Sequence, residues 1–276
     1  MTVPSPAQNE AIVPATGLIE RARIAETVIR DAGALAADYY RRRSTLPIQS
    51  KGVQDFVSEA DRACEELIVA ALTRHFPEDG FLGEEGGLRS GGNLIWVVDP
   101  IDGTDNFLRG IPFWCVSIGL VAEHQALLGY IYNPVTEELF SAVRGGGAFL
   151  NGEAIRVGDT ADVERARICL GFSYRRPVAP HARVVKALLD AHCEYSRLGS
   201  GALGVAYTAA GRFDAYWEHH INAWDVAAGL AIVTEAGGVT NDFLAGDGFE
   251  RGNEIFASTP ALAPKLATLI REAAAD

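Results

Sequence analysis

A chain of 276 residues with 48% hydrophobic content carries enough apolar material for one large domain or two closely packed halves, which excludes a disordered protein. Its formal net charge of −12 argues against a nucleic-acid surface, because neutralising phosphates takes clustered Lys and Arg and the one basic run is Arg41-Arg42-Arg43. That triplet suits a solvated helix end, where cations complement the dipole. Cys64, Cys115, Cys169 and Cys193 are widely spaced, without the pairing of a zinc site or the density of a disulfide scaffold, and imply reduced thiols in a cytoplasmic protein. Residues 1–15 lack a basic-then-apolar leader pattern and no apolar run reaches bilayer length, so neither export nor membrane insertion is expected.

In chain order, Leu18, Ala22, Ala25, Ile29, Ala32, Ala36 and Tyr39 alternate spacings of four and three, which predicts one long amphipathic helix starting near Thr16. Ser58 is a candidate cap for a second helix, with Asp61 in its first turn and Cys64, Leu67, Ile68, Ala71, Leu72 and Phe76 as its buried stripe. The apolar run 94–98 reads as a buried strand that ends where a group of carboxylates begins. Segments 114–122, 126–132, 138–143 and 148–157 read as an antiparallel meander, punctuated by turn residues that include Asn151-Gly152. Beyond residue 165 strands and helices alternate: strand 167–172, helices 179–191 and 201–210, strand 213–217, helix 223–236, strands 239–241 and 254–258, and a last helix from Pro260. The expected architecture is layered α/β, with an N-terminal half over 1–165 and a C-terminal half over 166–276 packed as one unit.

The carboxylate group is Asp99-Pro100-Ile101-Asp102-Gly103-Thr104-Asp105-Asn106-Phe107. Two acids three residues apart, a Gly that admits close backbone approach and an adjacent hydroxyl supply hard oxygen ligands for a cation and amide donors for a phosphate. By itself the segment also suits a turn, since Asp, Gly and Asn favour turns for local reasons. Its company points elsewhere: Gly83-Glu84-Glu85-Gly86 follows Phe81-Leu82, and Trp224-Asp225 opens the Ala-rich helical stretch that runs to Glu235. Three acidic loci at element boundaries suit one site for metal-assisted phosphate hydrolysis. Carboxylates gathered for divalent cations repel one another without them, so metal is expected to stabilise the fold.

With Lys51-Gly52-Val53-Gln54-Asp55-Phe56-Val57-Ser58-Glu59-Ala60-Asp61 upstream and Glu235-Ala236-Gly237-Gly238 downstream, these ordered motifs resemble the inositol monophosphatase family of lithium-sensitive, Mg2+-dependent sugar phosphatases. The resemblance spans most of the chain and implies a five-layer αβαβα sandwich, two or three Mg2+ per subunit, a homodimer and a small phosphate monoester as substrate, without nucleic-acid or membrane partners. It implies that Asp99 bridges two metals, that Glu84 and the Ile101 carbonyl complete the first site, and that Asp102 and Asp225 complete the second. Glu84, Thr104 and Asp61 form the implied catalytic group: Asp61 accepts the Thr104 proton and frees the hydroxyl oxygen to orient the attacking water. Read locally, Asp61 also suits a helix-start charge and Thr104 a cap.

The amides of Gly103 and Thr104 are implied to hold the phosphate, and Glu218 with Gly199-Ser200-Gly201 to receive the polyol. Lys51 and Asp55 fit the upstream pattern, although a loop Lys is more often solvated, and Glu85 is expected to face water. Two positions depart from the family pattern: Asp105 stands where many members have Thr, and His219-His220 stand where relatives vary and suit a surface better than a ligand role. Inositol 1-phosphate is the namesake substrate. Arg109-Gly110-Ile111-Pro112 echoes histidinol-phosphate phosphatases, and fructose 1,6-bisphosphate, nucleotide 3′-phosphates and NADP are other substrates of related enzymes. A regulatory protein keeping the fold without turnover predicts a missing ligand, and none of Glu84, Asp99, Asp102, Thr104 and Asp225 is missing.

Overall fold

A computed structural model describes residues 15–45, 48–52 and 55–275. The chain runs α1 (Ala15–Arg41), β1 (Ile48–Gly52), β2 (Asp55–Ser58), α2 (Glu59–His75), β3 (Gly80–Gly83), β4 (Gly87–Arg89), β5 (Ile95–Asp102), α3 (Thr104–Arg109), β6 (Cys115–Ala122), β7 (Gln125–Asn133), β8 (Glu138–Val143), β9 (Gly147–Leu150) and β10 (Glu153–Ala154). It continues through β11 (Arg167–Leu170), α4 (Val178–Asp190), β12 (Glu194–Ser196), α5 (Gly201–Ala209), β13 (Ala215–Ile221), α6 (Ala223–Glu235), β14 (Val239–Thr240), α7 (Gly248–Arg251), β15 (Asn253–Ser258) and α8 (Ala263–Ala275). β1 and β2 form a separate hairpin. An eight-stranded sheet has the order β10-β9-β8-β7-β6-β5-β3-β4, antiparallel except where β3 meets β5. A five-stranded sheet has the order β12-β11-β13-β15-β14.

The period-2 pattern of the strands sorts the core into layers. Trp96 and Val98 of β5, with Ile118, Leu120 and Leu128, face α1 and α2, whose predicted stripes pack against them, Leu67 and Ala71 of α2 being half-buried. Val97, Val121 and Ile131 point the other way, onto α5 and α6. Those two helices are apolar nearly all round, as helices packed on both sides must be, and their far sides meet Tyr216, Ile255 and Ala257 of the smaller sheet. Ile168, Leu170, Ala215 and Trp217 are covered by α4 and α8. The order is therefore α1/α2, sheet, α5/α6, sheet, α4/α8, the five-layer αβαβα sandwich.

Two glycines set how closely α6 approaches the large sheet. Gly119 and Gly129 are cross-strand partners on β6 and β7. A Cβ at Gly129 would lie 2.1 Å from the Ala228 carbonyl oxygen, and one at Gly119 would lie 2.9 Å from the Ala228 nitrogen. The helix backbone rests on this pair, which seats its N-terminal turn and Asp225 against β5 and β6.

Boundaries differ most from expectation at four places. The run 94–98 does not end at the carboxylates, since β5 continues through Asp102. Segment 148–157 is a tight hairpin, β9 and β10, turned at Asn151 (φ 51°) and Gly152 (φ 83°), a pair suited to two consecutive left-handed residues. β13 runs on to Ile221, because Glu218 and His220 are polar side chains buried in sheet positions. The last helix begins at Ala263, after a turn over 260–262 whose Leu262 N–H donates to Thr259 Oγ1 at 3.4 Å.

Gly129→Ala places a methyl group against a backbone carbonyl that cannot yield without moving α6. Denaturant unfolding is expected to show a loss of about 3 kcal/mol, the upper part of the usual range for overpacking. A change below about 0.5 kcal/mol, within the ordinary scatter for surface substitutions, would contradict the close seating of α6.

Candidate active site

The site starts from an irregularity in β5. Asp99 pairs with Ser117 and Asp102 with Cys115, so three steps on β5 match two on β6, a one-residue bulge. In a regular strand residues three apart face opposite ways. The extra residue brings Asp102 back to the side of Asp99, and Pro100 is tolerated there because a bulge releases its position from the ladder. Asp99 Oδ1 accepts the Ile101 N–H at 2.9 Å and Asp99 is 1% exposed.

Two helix N-termini close on these acids. Asp102, 7% exposed, accepts the Ser200 hydroxyl and the N–H groups of Ala202 (2.8 Å) and Gly201 (3.3 Å) at the start of α5. The same Ser200 oxygen accepts the Leu203 N–H at 3.2 Å, so it caps the helix while holding Asp102. Asp225 lies in the first turn of α6, where its carboxylate accepts the Asn222 N–H at 3.0 Å in a reciprocal cap. Asp99, Asp102 and Asp225 each offer an oxygen, and these lie within 4.8 Å of one another. Glu84 joins from the three-residue turn between β3 and β4, its N–H reaching the Val98 carbonyl at 3.3 Å beside Asp99.

The electrostatics are those of like charges crowded out of water. Burial, followed by the charges of Glu84, Asp102 and Asp225, pushes Asp99 well above the usual carboxylate range. Burial also raises Asp102, against the lowering effect of its Ser200 and amide hydrogen bonds. Asp225 is pushed up to about 8, by burial first and then by Asp102 and Glu218. An all-carboxylate oxygen set whose charges are only partly offset by helix N-termini fits a hard divalent cation of the Mg2+ type.

Asp61, 1% exposed, stands in the first turn of α2 and faces Thr104 at the start of α3. The Thr104 hydroxyl lies 3.4 Å from Asp61 Oδ1 and 3.0 Å from the Ile101 carbonyl, so its one proton serves either acceptor. Gly103 has φ +91°, and a Cβ there would sit 3.1 Å from the carbonyls of Gly199 and Phe113. Only glycine fits this junction.

Beside the acids is a cavity of about 460 Å3, walled by Glu84, Asp102, Asp225, Gly199, Ser200, Gly201 and Glu218 among others. Asp61, Asp99, Gly103 and Thr104 are not in that wall. Glu218 accepts the Tyr216 hydroxyl at 2.7 Å, and burial pushes it up to about 7 despite that bond.

The surface expectation for His219-His220 is corrected for His220, which is 8% exposed, contributes to the cavity wall and places Nε2 3.0 Å from the Arg251 carbonyl. A register shift between Glu218 and Ile221 carries it inward. His219 is half-buried and stacks on Trp217. Arg109 Nε donates to both carboxylate oxygens of Asp105 at 2.9 Å on exposed helix surface, and Glu85 is half-buried. The side chains of Lys51, Asp55 and Ser58 lie outside the described residues.

Two site-forming residues escape the sequence reading. Asn106 donates to the carbonyls of Phe113 (2.7 Å) and Leu198 (2.8 Å), tying α3 to the Gly199 turn. Its signal was its place inside the nine-residue segment. Glu65 holds the Glu84 turn, and its signal was a carboxylate one helical turn beyond Asp61 on the same face.

The layered fold and the carboxylate cluster at the junction of β5, α5 and α6 define an α/β protein with a set of acids that could hold a hard cation beside a polar cavity. Residues 18–275 match the Inositol monophosphatase family. The chain is 44% identical over 220 residues to the Nus factor SuhB of Xylella fastidiosa, covering 79% of this chain and 80% of that protein. It is 40% identical over 221 residues to the Inositol-1-monophosphatase of Rhizobium meliloti, covering 79% and 83%. The crystal structure of extragenic suppressor protein suhB from Bartonella henselae superposes with a TM-score of 0.84 at 34% identity, covering 93% of this chain and 98% of that one. The chain belongs to the inositol monophosphatase family, and that membership supports a phosphatase. Among the described residues no helix is long and apolar enough to cross a membrane.

Groups whose folded pKa is raised stabilise the fold at low pH and lose that contribution as pH rises through the folded value. With chelator present, stability is therefore expected to fall from about pH 4, the ordinary Asp value, to about pH 8, where Asp225 titrates. Millimolar Mg2+ should raise the melting temperature more at pH 8 than at pH 5. A melting temperature in chelator that is flat or rising across this window, with no Mg2+ effect, would count against a charge-strained cage.

Proposed function

We propose that this chain is a Mg2+-dependent phosphomonoesterase acting on a small polyol phosphate, with inositol 1-phosphate as the leading substrate. The observation that carries the proposal is the meeting of Asp99, Asp102 and Asp225 within 4.8 Å beside a cavity whose wall includes Glu84 and Glu218. Asp99, Glu84 and the Ile101 carbonyl would hold one cation, and Asp99, Asp102 and Asp225 a second. Bound there, divalent cations acidify water, polarise the phosphate and neutralise the leaving oxygen.

The chain's own groups do the rest. Thr104 gives its proton in a hydrogen bond to Asp61 and turns an oxygen lone pair toward the water that attacks phosphorus. With the Ile101 carbonyl among the groups that would hold a cation, Asp61 would remain as the acceptor of the Thr104 proton. The Gly103 and Thr104 amides receive phosphate oxygens. Tyr216 fixes one oxygen of Glu218 and leaves the other for a substrate hydroxyl, near the Gly199-Ser200-Gly201 turn. Homodimerisation and lithium inhibition belong to the same proposal.

Phosphate release from inositol 1-phosphate, histidinol phosphate, fructose 1,6-bisphosphate, adenosine 3′,5′-bisphosphate and glycerol 2-phosphate tests the reading directly. Preference for inositol 1-phosphate, abolished by chelator and reduced at least about 1,000-fold in Asp99→Asn, is the expected result, in the range seen when a central electrostatic group is removed. Full turnover by Asp99→Asn would overturn the assignment of the bridging ligand.

The relatives named Nus factor SuhB support a second reading, a Nus-factor role that does not depend on turnover. In a host lacking its own SuhB, Asp99→Asn would then complement as well as the parent chain. Failure of both chains to complement would remove this reading and leave the first untouched.

A further inference from the structure

Glu84 faces a difficulty that the rest of the cage does not. Asp99 and Asp102 lie on one strand, and Asp225 is fixed by a helix cap, but Glu84 projects from a three-residue turn at the edge of the sheet. Its charge works against that of Asp99. Before any cation arrives, repulsion favours a turn that swings away, so a restraint on the turn is needed to keep Glu84 in place.

That restraint comes from α2. Glu65, 6% exposed, accepts the Glu85 N–H at 2.9 Å with Oε2 and the Gly86 N–H at 2.6 Å with Oε1. With the Glu84 N–H on the Val98 carbonyl, three consecutive amides of the turn are held. The fit leaves no slack, since a Cβ at Gly83 would lie 2.5 Å from Glu65 Oε2 and one at Gly86 would lie 2.7 Å from Oε1. Glu65 follows Asp61 by four residues, so both carboxylates lie on one face of α2, where Asp61 meets Thr104 and Glu65 meets the Glu84 turn. A single rigid helix thereby sets the spacing between the water-orienting pair and the edge of the cation site.

We infer that Glu65 is a positioning residue that presents Glu84 to the cation, an inference that rests on the proposed ligand role of Glu84. Glu65 touches neither substrate nor cation and acts through the turn. In Glu65→Gln the side-chain oxygen accepts one amide while its NH2 group opposes the other, so the turn is released on one side.

The test is calorimetric titration of the full chain with Mn2+ and Mg2+, well below the melting temperature of each variant, with far-UV circular dichroism as the folding control. Glu65→Gln is expected to weaken cation affinity by about 10- to 100-fold, the usual cost of losing a group that orients a ligand. The metal concentration for half-maximal turnover should rise by a similar factor, with kcat at saturating metal changing less. Gly86→Ala keeps every charge but crowds Glu65 from the exposed turn, and should weaken binding in the same direction. It also decides the question if Glu65→Gln does not fold. Glu66→Gln, exposed on the same helix, controls for loss of one nearby negative charge and should bind as the parent does. If Glu84→Gln weakens binding while folded Glu65→Gln and Gly86→Ala bind normally, the positioning role is wrong and Glu65 is merely structural. If Glu84→Gln itself binds normally, the ligand reading beneath it fails instead.

Discussion

The constraint on which this structure depends is the cost of holding Glu84, Asp99, Asp102 and Asp225 together, with Asp99 and Asp102 buried and Glu84 and Asp225 half-buried. Each buried carboxylate loses hydration and repels its neighbours, and the raised Asp99, Asp102 and Asp225 express that cost. The fold offsets part of it with helix N-termini. α5 directs Ser200 and two backbone amides at Asp102, and α6 carries Asp225 in its first turn, so both acids sit where the macrodipole is positive. What remains uncompensated would, on the proposed function, suit a small hard cation better than a larger or softer one.

Bringing two helix ends to one strand also explains the composition of the middle layer. α5 and α6 are rich in Ala and Gly and lie between two sheets, where bulky side chains would hold the backbones apart. Gly119 and Gly129 give up side chains on the sheet at the point where Ala227 and Ala228 press against it. The missing apolar bulk is recovered in the outer layers, where Trp96, Trp217, Leu188 and Ile270 fill the spaces beneath α1, α2, α4 and α8. Side-chain size is thus graded between the helices of the sandwich, small in α5 and α6 and larger beneath the outer ones.

What was legible in the sequence follows from range. The stripe of α1, the meander and the layered order were readable because helix and strand periods are local, and the nine-residue segment is contiguous. The β5 bulge was not readable, since it is defined by the partner strand and an Asp spacing of three gives no hint of which face each acid takes. Glu65 and Asn106 were missed for the same reason: Glu65 holds amides 20 and 21 positions away, and Asn106 reaches Leu198, 92 positions away. His220 misled because the strand was expected to end at 217, whereas β13 runs to Ile221 and its register shift carries His220 inward. The hairpin β1-β2 carries no strong alternation in Ile48-Gln49-Ser50-Lys51-Gly52.

The same division separates reaction from recognition. Groups proposed for the chemistry stand on elements braced by their neighbours: the bulged end of β5, the first turns of α2, α5 and α6, and a turn pinned by Glu65. Groups lining the far wall of the cavity come from the segment 171–175 after β11, from Arg197, and from the shifted part of β13. Residues in that wall can change without disturbing the bulge or the helix caps, because none of the Asp99, Asp102 or Asp225 backbone contacts passes through them. A chain with the full cage can therefore carry a cavity tuned by residues such as His220, and on the proposed function the wall, more than the cage, would set which phosphate ester is accepted.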